Sequence, residues 1–97
     1  MNVLLIEPRS CYLGLSPGLA YVSAALNAAG HKTQGVSLTN HRHYPPHRLQ
    51  KYFVETLKPD WVGYSIYYTS VEEMNRNLRD LRAYYKGPVV VGGPQLN

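Results

Sequence analysis

Apolar residues in this chain form short runs that alternate with segments of helical spacing. Four runs fit strands, and they are 2–8 (NVLLIEP), 31–38 (HKTQGVSL), 58–66 (KPDWVGYSI) and 88–93 (PVVVGG). The first and last are almost wholly apolar, which is typical of strands buried on both faces of a parallel sheet. The second alternates more weakly and is interrupted by Gly35, and the third follows a turn at Pro59 and Asp60.

Three segments between these runs carry apolar stripes at helical spacing. The stripes are Leu19, Val22, Leu26 and Ala29 in the first helix, Leu49, Phe53 and Leu57 in the second, and Val71, Met74, Leu78, Leu81 and Tyr85 in the third. The first helix has Pro17 near its start and Gly30 just past its end. The second is expected over His47 to Leu57, because Pro45 and Pro46 exclude helix before it.

The order strand, helix, strand, helix, strand, helix, strand predicts an α/β domain with a parallel sheet and right-handed crossovers. The expected architecture is a flavodoxin-like (Rossmann-like) three-layer sandwich with strand order 2-1-3-4. In that topology the first helix covers one face of the sheet, and the second and third helices cover the other.

A complete domain of this type has a further strand and helix, so the pattern predicts a sheet truncated before them. We expect residues 1–97 to form a single domain that is part of a longer protein. The alternative is a protomer that self-associates through the open edge from Pro88 to Val91, because an uncovered apolar edge favours pairing with another chain.

Composition indicates where the protein is located and which partners it does not require. The chain is 44% hydrophobic and 16% charged with a net charge of +4, which fits a globular protein and does not call for a nucleic-acid partner. The one cysteine, Cys11, excludes an internal disulfide and cannot by itself hold an iron–sulfur cluster. The sequence shows no secretory signal and no apolar stretch of membrane-spanning length, so we expect a cytoplasmic protein.

Open parallel sheets bind ligands beyond the carboxyl ends of the strands, where the strand order reverses. Here that point lies between the first and third strands, and it brings together the loop after strand one and the ends of strands three and four. Gly92 and Gly93 would let a ligand approach the backbone closely. The same pair is equally compatible with a simple turn at a strand end.

These residues together resemble a known family. The segments NVLLIEP, SPGLAYVSAALNAAGH, KPDWVGYSIYYTS and PVVVGGP, in that order, are similar to the cobalamin-binding domain at the amino terminus of cobalamin-dependent radical S-adenosylmethionine enzymes. The resemblance spans essentially the whole chain. It implies a vitamin B12-binding module that presents cobalamin, as methyl carrier or redox partner, to a downstream catalytic domain.

The resemblance also implies a set of cofactor-binding residues. They are Ser65, which resembles the serine that holds the nucleotide tail, the glycine pair Gly92 and Gly93 with Pro94, the neighbouring Tyr67, and Cys11, Tyr12 and Gly14 in the loop below the corrin ring. In the classical cobalamin domains that loop contains a D-x-H-x-x-G motif, whose histidine is the lower cobalt ligand, and many radical S-adenosylmethionine relatives lack this histidine. Here the loop reads EPRSCYLG and contains no histidine.

Histidine and tyrosine side chains are further candidates for chemistry. The histidines His41, His43 and His47 could converge on a metal ion, but histidines of a polar loop are common and the segment has no nearby acid. Tyr64, Tyr67 and Tyr68 could stack on a corrin or base, although aromatics at a strand end usually pack in the core or rim.

No catalytic motif is present in the sequence. Glu72 and Glu73 are adjacent on a helix and diverge, so they form no acid–base pair. The C-x-x-x-C-x-x-C motif of radical chemistry is absent. An iron–sulfur cluster and S-adenosylmethionine would therefore belong to a downstream domain.

A cofactor-free interaction domain of the same fold is the second hypothesis. A receiver domain is disfavoured because Ser65 and Tyr67 stand where its aspartate is needed.

Overall fold

The computed structural model describes residues 1–9, 17–39, 43–65 and 71–92. Its seven elements follow the predicted order, and they are β1 (Asn2–Glu7), α1 (Pro17–Ala28), β2 (Lys32–Ser37), α2 (Pro46–Leu57), β3 (Trp61–Ser65), α3 (Val71–Arg82) and β4 (Val89–Gly92). All strand pairs are parallel and the sheet order is β2-β1-β3-β4. The flavodoxin-like prediction is therefore confirmed, including the strand order.

The larger core lies between the sheet and helices α2 and α3. Its buried members are Leu4, Ile6, Val36, Leu38, Leu49, Val54, Val62, Tyr64, Met74, Leu81 and Tyr85. Alternate residues of each strand point to this face because strand side chains alternate with a period of two. We call it the α2–α3 face.

The opposite face, which we call the α1 face, has a smaller core. Val3 and Leu5 of β1 pack there with Leu19 of α1, and Leu26 and Trp61 lie partly buried beside them. Helix α1 lies over β1 and β2. On β4 the side chain of Val90, which alternates with the core-facing Val89 and Val91, is 56% exposed.

Local signals set the helix ends. Helix α1 ends in a Schellman motif, with Gly30 N–H bonded to Asn27 O (3.1 Å) and His31 N–H bonded to Leu26 O (3.0 Å). Gly30 has a φ of 95°, a left-handed conformation that glycine adopts without steric cost. Helix α2 begins at Pro46, so the prediction that this proline excludes helix was wrong. The first helical residue needs no N–H partner and tolerates proline.

Three predicted core positions are exposed. Val71 at the start of α3 is 73% exposed and Val22 of α1 is 47% exposed, and Ala29 is also exposed. Helical spacing alone places a residue on an apolar stripe, whereas burial also requires a neighbouring element to cover that part of the stripe. Tyr85 is buried as predicted, although it lies beyond the last residue of α3.

Candidate functional site at the carboxyl edge of the sheet

The last residues of the four strands lie in one row across the sheet. Glu7 pairs with Ser37 of β2, and Ser65 of β3 pairs with Gly92 of β4. Ile6 pairs with Tyr64, so the next residue places Glu7 beside Ser65. We call Ser37, Glu7, Ser65 and Gly92 the carboxyl-edge row. Strand order reverses within it, between β1 and β3, which is where open α/β sheets bind ligands.

The side chains of the row belong to the α1 face. Glu7 follows Val3 and Leu5 at every second position of β1, and both of these residues pack against α1. Ser65 likewise alternates with Tyr64, which points into the α2–α3 core. The row therefore presents two hydroxyls and one carboxylate to the same side of the sheet.

Burial differs along the row. Glu7 is 1% exposed and Ser37 is 4% exposed, whereas Ser65 and Gly92 are partly exposed. The Ser37 hydroxyl oxygen is buried with no hydrogen-bond partner among the described residues. A buried hydroxyl without a partner is costly, so a polar partner for this oxygen would stabilise the domain.

The glycine end of the row offers space. A Cβ atom added to Gly92 would meet no described atom within 4 Å. A ligand could therefore lie directly against the backbone there, and a side chain would occupy that volume. The expected proximity of Ser65 and Gly92 is borne out by their pairing. Their role in binding a cofactor stays a prediction.

Most of the remaining candidate residues fall outside the described part of the chain. Cys11, Tyr12, Gly14, Tyr67, Tyr68, Gly93 and Pro94 are in this group. Before them in the sequence, Arg9 lies at the same edge, and its Nη2 donates a hydrogen bond to Tyr44 O at 2.8 Å. That bond joins the segment after β1 to the segment before α2.

Tyr64 and two of the three candidate histidines lie in the described part of the chain. Tyr64 is 3% exposed in the larger core, which agrees with core packing and not with a stacking role in the cleft. Burial, reinforced by the nearby Tyr84 and Asp80, raises the pKa of Tyr64 far above the ordinary tyrosine value. His43 and His47 are exposed, and the described residues hold no group of three or more potential metal ligands. His41 lies outside those residues.

Sequence reasoning missed Ser37, Glu7 and Trp61 as residues of this face. Strand alternation could have identified them. Trp61 lies an even number of residues before Ser65 in β3, and Glu7 and Ser37 occupy the same row as Ser65, so all three side chains point to the same face. The unpartnered oxygen of Ser37 could not have been inferred, since it depends on what α1 and β1 place around it.

The fold is that of a doubly wound α/β domain, and the comparisons place it in a family. A model of the B12-binding domain family matches residues 10–97. The chain therefore belongs to the B12-binding domain family. No curated protein matches the sequence.

Two solved structures share the fold. Both are of the radical S-adenosylmethionine methyltransferase TsrM from Kitasatospora setae, one with tryptophan substrate and a SAM analogue bound, the other with cobalamin and a [4Fe-4S] cluster bound. The TM-scores are 0.81 and 0.80, with 22% identity in both cases and 95% of this chain covered. The chain spans only 19% and 18% of the length of those chains.

The row suits the cofactor named by the family. Cobalamin carries hydroxyl and amide groups as well as a flat aromatic base. The partly exposed hydroxyl of Ser65 and the space that the described residues leave at Gly92 are features that such a ligand can use. None of the described helices has the length and apolar content of a membrane span.

Proposed function

We propose that this chain binds cobalamin at the carboxyl-edge row. The observation that carries the proposal is the pairing of Ser65 with Gly92, which puts a partly exposed hydroxyl beside a volume that no described atom fills. Membership of the B12-binding family supports the same ligand. Ser65 would hydrogen-bond the nucleotide tail, and Gly92 with Gly93 would leave room for its base.

The role of the bound cofactor is a further part of the proposal. Cobalamin supplies a cobalt centre that can carry a methyl group or exchange electrons. The chain would hold and orient it for a separate radical S-adenosylmethionine domain of a longer parent protein. That domain would bring the iron–sulfur cluster and S-adenosylmethionine. Segment 8–14 would lie below the corrin, with Cys11, Tyr12 and Gly14 near the ring and no histidine for the cobalt.

Titration with hydroxocobalamin tests the binding step. Absorbance gives the Kd, and amide chemical shifts show where the ligand lies. Saturable binding with the largest shifts at Ser65 and Gly92 is expected. Ser65→Ala should raise the Kd roughly fivefold, because it removes a hydrogen bond with a net value of about 1 kcal/mol.

The matched control is Ser23→Ala. Ser23 is also partly buried, but its hydroxyl lies 2.8 Å from the hydroxyl of Thr33 in the seam between α1 and β2. Its replacement should leave the Kd unchanged. Equal effects of the two variants, or no binding by the unaltered chain at millimolar ligand, would contradict the proposal.

Self-association is the second candidate function, and one observation favours it. Strand β4 has a hydrogen-bonded neighbour on one side only among the described strands, and Val90 is 56% exposed. A cofactor-free domain could pair through the edge from Pro88 to Val91. Sedimentation velocity with and without Val90→Lys tests this, because a dimer held by this edge should dissociate in the variant.

A further inference from the structure

Trp61 is the only tryptophan of the chain, and it lies on the same face as the carboxyl-edge row. It pairs with Val3 in the sheet and packs at the margin of the small core formed by Val3, Leu5 and Leu19. Its side chain remains partly exposed. A partly exposed indole on an incompletely covered face is available to a ligand.

The indole ring leans toward the carboxyl end of β3. A Cβ added to Gly63 would lie 3.3 Å from Cζ3 of Trp61 and 3.0 Å from Cδ2 of Leu5. The six-membered part of the indole therefore lies beside Gly63, which is two residues before Ser65. At a rise of about 3.3 Å per residue, this position is about 7 Å from the carboxyl-edge row.

The indole and that row lie on the same face of two neighbouring strands, β3 and β4. On this face the two strands carry Trp61, Gly63 and Ser65 of β3 and Val90 and Gly92 of β4. We refer to this strip of the sheet surface as the β3–β4 groove. Gly63 pairs with Val90, whose side chain is 56% exposed on this face. Helix α1 packs over the other two strands, β1 and β2.

The chemistry of the groove selects one kind of occupant. None of its five residues is charged, two lack a side chain, and one end is an aromatic ring, whereas the other end carries the Ser65 hydroxyl. A flat, uncharged aromatic group fits this arrangement better than a phosphate or an amide, because it can contact the indole and exclude water from Val90.

We propose that Trp61 contacts the heteroaromatic base at the end of the nucleotide tail of cobalamin. The inference rests on the proposed function, since it extends the groove that starts at Ser65 and Gly92. Trp61 is then a specificity-determining residue for corrinoids that carry an aromatic lower base. It does not touch the corrin ring or the cobalt.

The test compares hydroxocobalamin with hydroxocobinamide, which has the same corrin ring but lacks the nucleotide tail. Trp61→Leu should raise the Kd of hydroxocobalamin about tenfold, the effect typical of losing one base–aromatic contact. Trp61→Phe keeps a ring and should raise it less, by about threefold. The Kd of hydroxocobinamide should stay the same in both variants.

A second readout does not depend on affinity. The chain has one indole Nε1–H, so its amide-region spectrum contains one indole signal. That signal should shift on addition of hydroxocobalamin and stay in place with hydroxocobinamide. Tyr21→Leu is the matched control for Trp61→Leu and should leave the Kd of hydroxocobalamin unchanged. Tyr21 is an aromatic residue of α1 that is 80% exposed and lies outside the groove.

The outcomes separate this inference from the proposed function. If the unaltered chain does not bind hydroxocobalamin, the proposed function fails and this inference fails with it. If it binds, but Trp61→Leu weakens both corrinoids equally or neither, the inference alone is overturned. An indole signal that moves with protein concentration, and not with hydroxocobalamin, would show that the groove contacts a second copy and would also overturn it.

Discussion

The phenol of Tyr64 donates a hydrogen bond to the side-chain oxygen of Gln50 inside the larger core. The amide nitrogen of Gln50 in turn donates to the backbone oxygen of Asn77 at 3.2 Å. These residues are at most 3% exposed. The two bonds connect the carboxyl end of β3, immediately before Ser65, with helices α2 and α3.

Replacing Tyr64 with phenylalanine should destabilise the domain. The variant keeps the ring but leaves the Gln50 oxygen buried without its donor, a loss of about 1–3 kcal/mol in the free energy of unfolding. Urea denaturation measures it. Tyr52→Phe is the control, because Tyr52 is 59% exposed and its hydroxyl can be replaced without burying an unpaired group. Equal stability of the two variants would contradict the role of this bond.

Alkaline pH should destabilise the chain through tyrosines that are buried or half-buried. Burial, followed by the negative charge of Asp80, raises the pKa of Tyr84 to about 12. Burial also raises the pKa of Tyr64. A raised folded-state pKa means that the stabilisation is complete below the unfolded value of about 10 and is lost as the pH rises toward the folded value.

The melting temperature should therefore fall between about pH 10 and pH 12, the interval between the unfolded and folded pKa values. Tyr84→Phe should reduce this fall because one of the responsible groups is gone, whereas the exposed Tyr52→Phe variant should behave like the unaltered chain. A fall of the same size in both variants would rule out a contribution from Tyr84.

Alanine should destabilise the domain at only one of two glycines on the α1 face. In Gly63→Ala the new methyl group meets Leu5 at 3.0 Å and Trp61 at 3.3 Å, so both side chains must move. We expect a loss of about 1–3 kcal/mol in unfolding free energy, as for other overpacked sites. In Gly92→Ala the methyl group meets no described atom within 4 Å.

Gly92→Ala should therefore change the unfolding free energy by no more than about 0.5 kcal/mol. It should still weaken hydroxocobalamin binding, because the methyl group occupies space assigned to the ligand. Denaturation and absorbance titration of both variants check this pair. A Gly92→Ala chain that binds hydroxocobalamin as tightly as the unaltered chain would place the ligand elsewhere.

The end of α1 offers a test of local backbone chemistry. Gly30 has a φ of 95°, where a Cβ atom is strained, although no described atom lies within 4 Å of the position it would take. Gly30→Ala should cost about 1 kcal/mol in unfolding free energy, through the backbone and not through a clash. Gly30→Asn should cost less, because asparagine tolerates this conformation. Thermal melts that rank asparagine below alanine would refute the argument.

Much of the fold was predictable from the sequence because local patterns and topology rules agree. The apolar runs gave the four strands, and the alternation with helices gave the parallel sheet and its order. The predictions of buried positions were wrong where burial depends on a neighbouring element that covers the residue. Val71 and Val22 match helical stripes and yet are exposed, because no described element covers them.

The site was predictable in part. The topology rule placed Ser65 and Gly92 at the same edge, and their direct pairing agrees with it. Tyr64 shows the limit of that rule. It precedes Ser65 in the same strand, but alternation turns its side chain into the opposite core.

By itself, the sequence determined the elements, the strand order and the B12-binding family, because hydrophobic spacing, turn residues and short motifs act over a few residues. Only the tertiary structure decided which residues lie side by side at the carboxyl-edge row and in the β3–β4 groove. Register across three strand pairs sets Ser37, Glu7, Ser65 and Gly92 in one row, and the absence of a side chain at Gly63 lets the ring of Trp61 lie beside it. These contacts join residues far apart in the chain, and no local pattern encodes their distances.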